Sequence, residues 1–153
     1  MRQIDSRIDI AAPAALVWAI LADFRTYGRW NPLILGVLGM ASAGRRIEIR
    51  VRARAGGDVT CRPIIVRLRE PREMDWVETW RWPGVYRSER RFRIETLPSG
   101  DVRFHHGERV DGMLAPLLGV RRAGTQSELD AMNRALKQRA ERAWVRPSTA
   151  QAA

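Results

Sequence analysis

Four side chains able to do acid–base or ionic chemistry share a parity with apolar neighbours in three successive β-type stretches. In residues 73–82, Glu78 falls in step with Met74, Trp76, Trp80 and Trp82. In residues 85–97, Arg90 falls in step with Tyr86, Ser88, Phe92 and Ile94. In residues 102–110, His106 and Glu108 fall in step with Val102, Phe104 and Val110. Alternate side chains of a strand share a face, so all four are predicted to point inward. Buried charges must be paired or hydrogen-bonded. Arg90 is therefore expected to pair with Glu78 or Glu108, with His106 in the same network, as a structural polar patch in a wet cavity. The sharper reading is that the patch orients a polar group of a ligand. In an enzyme, His106 would move the proton and Glu108 or Glu78 would tune it. A one-residue slip in the 102–110 strand would exchange His106 for His105, and the whole site turns on that register.

The flat surface around this patch comes from aromatic residues. Trp76, Trp80 and Trp82 on one parity are expected to pack as core or to form a stacking wall, and a cavity wall is both. Phe92, Met132 and Leu136 complete the predicted lining. Tyr27, Trp30 and Asn31 are placed near the cavity mouth. The sequence Trp30-Asn31-Pro32 reads first as a lock on the chain's exit from a helix, and secondly as a donor and acceptor pair for a ligand.

Other chemistries lack their residues. No dinucleotide or P-loop glycine pattern, no G-x-S-x-G and no H-E-x-x-H occurs. The single cysteine, Cys61, has no disulfide partner and reads as structural. His105 and His106 are the two histidines, and adjacency is not a metal-ligand spacing on helix or strand, so no metal and no cofactor are expected. The net charge is +10, from 27 bases against 17 acids. All the bases but Lys137 are Arg, and Ala is also abundant, which points to GC-rich coding. The bases are dispersed on the parity opposite the aromatics (Arg46, Arg50, Arg52, Arg54, Arg67, Arg69, Arg91, Arg93). A stacking platform for single-stranded nucleic acid would interleave the two, so no specific nucleic acid is expected. The Arg rows read as solvated strand faces guarding sheet edges, with transient contact to an anionic membrane as the second possibility.

These residues need elements to position them. The chain has 153 residues, enough for one domain at roughly 100–200 residues each. Residues 1–145 are assigned to it and 146–153 to a disordered tail. Residues 3–10 alternate as a strand with Ile4, Ile8 and Ile10 on one face. Pro13 opens a helix carrying Leu16, Val17, Ile20, Leu21 and Phe24, and a second short helix covers Tyr27 to Trp30. Residues 45–55 form a strand with Ile47, Ile49, Val51, Ala53 and Ala55 inward. Gly56-Gly57-Asp58 turns it into a partner over 59–69 with Ile64, Val66 and Leu68 inward. Three further strands are joined by turns at Pro83-Gly84 and at Pro98–Asp101. Thr125-Gln126-Ser127-Glu128 is a capping box, and Leu129, Met132, Leu136, Ala140 and Ala143 make one stripe after it. Gly119 and Gly124 leave open whether residues 113–144 are one helix or two. No membrane-spanning run and no secretory leader are visible, so a cytoplasmic location is expected.

This order resembles the START-like superfamily, also called SRPBCC or helix-grip proteins, in its polyketide cyclase/dehydrase-like branch. The resemblance covers about residues 3 to 143. It rests on Ile10-Ala11-Ala12-Pro13-Ala14-Ala15-Leu16-Val17-Trp18 and on Leu21-Ala22-Asp23-Phe24 with Tyr27 and Trp30-Asn31-Pro32. It rests also on Gly39 with Gly44, and on Met132-Asn133-Arg134-Ala135-Leu136-Lys137 with Glu141. It implies an α+β helix-grip fold. A twisted antiparallel sheet of about seven strands wraps a long C-terminal helix, with a short helix pair after the first strand. It implies an internal, largely apolar cavity between sheet and helix, and no universal catalytic motif. The expected function is binding of a small hydrophobic molecule (lipid-, aromatic- or polyketide-like), by a monomer or homodimer. The alternatives are a cyclase- or aromatase-like enzyme using the cavity histidine and carboxylates, and a partner-binding module in which the basic surface works and the interior is filled.

Overall fold

The computed structural model describes residues 1–52, 56–80, 82–117 and 124–145. Its elements run β1 (Arg2–Ile10), α1 (Ala14–Ala22), a 3-10 turn (Phe24–Thr26), α2 (Tyr27–Trp30), β2 (Ile34–Leu38), β3 (Glu48–Arg52), β4 (Asp58–Cys61), β5 (Ile64–Arg69), β6 (Glu73–Thr79), β7 (Arg87–Thr96), β8 (Val102–Asp111) and α3 (Gln126–Ala143). Five strands form one antiparallel sheet in the order β1-β8-β7-β6-β5, and three form a second in the order β2-β3-β4. A single bridge, Arg46 to Ile64, and the hydrogen bonds of Gly44 N–H to Ile65 C=O and Ile47 N–H to Pro63 C=O stitch the two together. The predicted helix-grip arrangement is present, with eight strands among the described residues.

Two strand readings change. The expected partner over 59–69 is broken into β4 and β5 at Arg62-Pro63, because a proline has no N–H for a ladder. A register shift between Ile65 and Arg67 puts the stretch before it out of step with the expected faces, while Leu68 beyond it points inward as expected. Ile65 is fully buried and Val66 is 54% exposed, so Ile65 and not Val66 enters the core. Ala53, Ala55 and Arg54 lie outside the described residues, as do 118–123, which held the question of one helix or two, and the tail 146–153.

Helix α3 begins where its sequence says it should. Thr125 Oγ1 accepts from the Glu128 N–H and the Glu128 carboxylate accepts from the Thr125 N–H. Its stripe of Leu129, Met132, Leu136 and Ala140 is fully buried against the sheet. Polar contacts pin both ends to β1: Gln126 Nε2 donates to the Asp5 carbonyl, and Lys137 Nζ donates to the Asp9 carbonyl. Glu141 accepts from the Ala11 N–H at 2.8 Å. Outward-facing arginines are tied to carboxylates. Arg93 bonds Asp75 and Glu73, Arg67 lies near both, and Arg91 bonds Glu89.

Candidate functional site

Antiparallel register sorts the inner face of the five-stranded sheet into rungs. One rung reads Ser6, His106, Phe92, Met74, Leu68 across β1, β8, β7, β6 and β5. The next reads Ile4, Glu108, Arg90, Trp76, Ile65. The last carries Val110, Ser88 and Glu78, next to the β6–β7 turn. Polar groups thus occupy the end of the inner face nearest that turn, and Phe92 and Phe104 fill the middle.

Arg90 and Glu108 are buried side by side, with Arg90 Nη2 3.1 Å from Glu108 Oε1. The other carboxylate oxygen accepts from the Gly124 N–H at 2.9 Å, just ahead of α3. A Cβ on Gly124 would stand 2.7 Å from Leu129 Cδ1 and 3.1 Å from Glu108 Oε2, so glycine permits this approach. Arg90 keeps two donor nitrogens, Nε and Nη1, buried and without a protein partner, and the Trp76 indole N–H on the same rung is likewise unpartnered. A buried donor left unmet costs about 1–3 kcal/mol. Ile49, Cys61, Pro63, Trp76, Glu78, Tyr86, Ser88, Arg90 and Glu108 surround a pocket here of about 20 Å³, room for about one water. Burial pushes the Tyr86 hydroxyl up to about 12.

His106 belongs to a second network. Its Nδ1 lies 3.2 Å from Asn133 Oδ1 on α3, Asn133 Nδ2 donates to Ser6 Oγ, and Ser6 donates to Asp130. An amide oxygen can only accept, so His106 carries its proton on Nδ1 and leaves the Nε2 lone pair free. Nε2 is buried with no partner. Burial, reinforced by the nearby Arg90 charge and opposed by the Asn133 bond, lowers the imidazole to about 3. His105 faces outward against Glu95 at 3.0 Å. Sequence reasoning missed Ser6, Asn133 and Asp130. The available signal was an asparagine inside an apolar helical stripe, facing a serine on the inward parity of β1, since buried polar groups require partners.

Arg90, Glu108, Trp76 and Glu78 come together at the small pocket. Glu78 is half-buried there and accepts from the Arg62 N–H, not from Arg90. Phe92 packs on Trp76 and His106, with ring centroids 5.1 and 4.8 Å away. Met132 and Leu136 are core residues under α3. Trp80 does not extend the Trp76 wall. Strand β6 ends at Thr79, the chain turns, and Trp80 and Trp82 emerge 38% and 71% exposed. Tyr27 is buried and donates to the Leu21 carbonyl, and Asn31 Oδ1 accepts from the Leu33 and Ile34 N–H groups. Trp30 is half-buried and packs on Tyr27. Tyr27 and Trp30 lie on α2 and Asn31 at its end, and none of the three is among the residues that line the pocket on β6–β8. Among the described residues the pocket at this rung is small, for a physical reason. Phe24, Tyr27, Trp76, Phe92 and Phe104 interlock mostly edge to face and occupy the space between sheet and helix. A larger hollow of about 650 Å³ lies on the outer face, among Arg69, Arg91, Arg93, Glu73 and Glu95. Its charges largely satisfy one another, so it is no apolar site.

A family model described as polyketide cyclase / dehydrase and lipid transport matches residues 1–141. The chain belongs to that family. Solved structures agree on its fold. A START superfamily protein from Mycobacterium smegmatis is 19% identical, with a TM-score of 0.69 over 93% of this chain and 99% of that one. A protein from Mesorhizobium loti is 15% identical, with a TM-score of 0.68 over 94% of this chain and 100% of that one. The di-domain ARO/CYC BexL of the BE-7585A biosynthetic pathway is 19% identical, with a TM-score of 0.62 over 95% of this chain and 51% of that one. No curated protein matches the sequence significantly. Among the described residues of this polyketide cyclase/dehydrase-family chain, no helix is long and apolar enough to cross a membrane. None of its described His, Cys, Asp and Glu side chains group to hold a metal ion.

Proposed function

We propose that this chain binds a small, flat, largely apolar molecule carrying a carbonyl or carboxylate oxygen, in the interior where the inner face of β6, β7 and β8 meets Ile49, Cys61 and Pro63. The observation that carries the reading is the set of buried donors without partners, Arg90 Nε and Nη1 and the Trp76 indole N–H, beside a small pocket. An oxygen placed there accepts hydrogen bonds from these groups, and a charged donor makes a strong one. The ring surfaces of Trp76 and Phe92 supply apolar contact. About 20 Å³ admits a water and no more, so a ligand must move the wall as it enters, and its affinity is reduced by that cost. The same fold in BexL, an ARO/CYC protein, makes aromatic polyketide-like compounds the first to try.

The enzymatic alternative fares less well. His106 does present a free lone pair, but an imidazole lowered to about 3 is a poor general base near neutrality, where a matched base titrates near 7. Its better use is to accept a hydrogen bond from a ligand hydroxyl.

Native mass spectrometry of the purified chain, with organic extraction, tests the reading. The expected result is a co-purified apolar compound, or uptake of 1,8-dihydroxyanthraquinone, that is lost in Arg90→Met/Glu108→Gln. That pair removes the ionic donor and keeps an acceptor for the Gly124 N–H. A clean mass with no shift against fatty acids, flavonoids and hydroxyanthraquinones would contradict it.

A further inference from the structure

Helix α3 uses two of its faces. Leu129, Met132, Leu136 and Ala140 are buried against the sheet. Ala135, Arg139 and Arg142, at helical spacing on a neighbouring face, border a groove of about 600 Å³. Ile20 of α1 and Arg29 and Trp30 of α2 line the same groove. Its size falls in the range of about 300–1,000 Å³ usual for small-molecule sites. It shares no lining residue with the interior pocket on β6–β8.

The charges at this groove have one sign. No Asp or Glu lines it. Among the described residues, Arg29, Arg139 and Arg142 have no hydrogen-bond or ion-pair partner. The acids on the same stretches of chain are already engaged. Asp23 pairs with Arg25 at 3.2 Å, and Glu141 accepts from the Ala11 N–H and from Lys137, each at 2.8 Å. Arg29 and Arg142 stand in the last turns of α2 and α3, where a cation complements the helix end. That effect fades within the last turn, so it does not account for half-buried Arg139 one turn earlier. Three guanidinium groups around one groove repel one another, and an anion between them turns that repulsion into attraction. A carboxylate would balance one of the three charges, whereas a phosphate group brings nearly two and a diphosphate more. The planar fork of arginine also matches phosphate oxygens in pairs. The Trp30 indole N–H is buried without a partner, a further donor on a residue that walls the groove.

We propose that this groove binds the phosphate or diphosphate group of a small molecule. Arg139 and Arg142, one turn apart on α3, hold the anion together with Arg29 of α2. The site is separate from the interior one and does not depend on what the interior binds.

Isothermal titration of the purified chain with inorganic pyrophosphate, in a phosphate-free buffer, tests the proposal. Saturable binding of one pyrophosphate per chain is expected, with none for acetate at the same concentration. Arg139→Gln and Arg29→Gln are each expected to keep the fold by circular dichroism and to bind at least about tenfold more weakly. Arg134→Gln, exposed on α3 and outside the groove, is expected to bind as the wild type does. In the nitrogen–proton correlation spectrum, pyrophosphate is expected to shift the Trp30 indole signal and leave that of Trp76 in place. The absence of saturable binding overturns the proposal, as does undiminished binding by Arg139→Gln. An equal loss in Arg134→Gln also overturns it, because the binding is then general attraction to a chain of net charge +10. A shift at Trp76 and not at Trp30 overturns it by placing the anion in the interior pocket. A hexaglutamate peptide that displaces pyrophosphate and binds more tightly overturns it by making the groove a dock for an acidic protein segment.

Discussion

His106 shows how one buried side chain reports its surroundings. The imidazole is lowered to about 3 in the folded chain against 6.5 when free, because burial and Arg90 oppose its charge more than Asn133 supports it. The unfolded state therefore takes up the proton first. His106 contributes fully to stability above about pH 6.5, and that contribution is lost as pH falls toward 3, at about 1.4 kcal/mol per pH unit. Urea unfolding at stepped pH between 7 and 4.5 should show this slope in the wild type and little of it in His106→Gln. Equal slopes would mean that the imidazole is not buried neutral. The inward position of His106 was readable from alternation with Phe104 and Val110. Its proton position was not, because that depends on Asn133, 27 residues further on, and through it on Ser6, which lies more than a hundred residues from Asn133 and Asp130 in sequence.

At the scale of elements, Glu108 is a three-way joint. It sits on β8, pairs with Arg90 on β7, and holds the Gly124 backbone ahead of α3. Removing it leaves a buried guanidinium uncompensated. Glu108→Ala should cost about 3–5 kcal/mol, whereas Arg90→Met/Glu108→Gln should cost much less, because no charge is left unpaired. Thermal or denaturant unfolding decides it, and a double variant less stable than Glu108→Ala would contradict the account. Elements that alternate or repeat without interruption were legible beforehand. The strands over 85–97 and 102–110 and the capped helix of Leu129, Met132 and Leu136 are examples. What failed is local and non-periodic. Pro63 and the shift after Ile65 put the first half of β5 out of step, so that Ile65 and not Val66 enters the core, and the end of β6 at Thr79 carried Trp80 and Trp82 out of the interior. Alternation assumes that the strand continues, and a break or bulge cancels it.

Across the whole molecule, the sheet and α3 are joined by an apolar core at one end and by an incompletely satisfied polar rung at the other. The core accounts for the fold by itself: Phe24, Tyr27, Trp76, Phe92 and Phe104 interlock, and α3 closes over them. On the proposed reading the rung serves the ligand as well as the fold, since replacing buried ion pairs with apolar groups is often neutral or favourable. Unmet donors at Arg90 and Trp76 make sense in a protein whose interior is completed by something else. The most direct measurement is the nitrogen–proton correlation spectrum of the labelled chain, reading the Trp76 indole and Arg90 Nε signals as 1,8-dihydroxyanthraquinone is added. The account predicts that both move together and saturate, while the indole of exposed Trp82 stays in place. Signals of Trp76 and Arg90 that do not respond, or a response confined to Trp82, would contradict it.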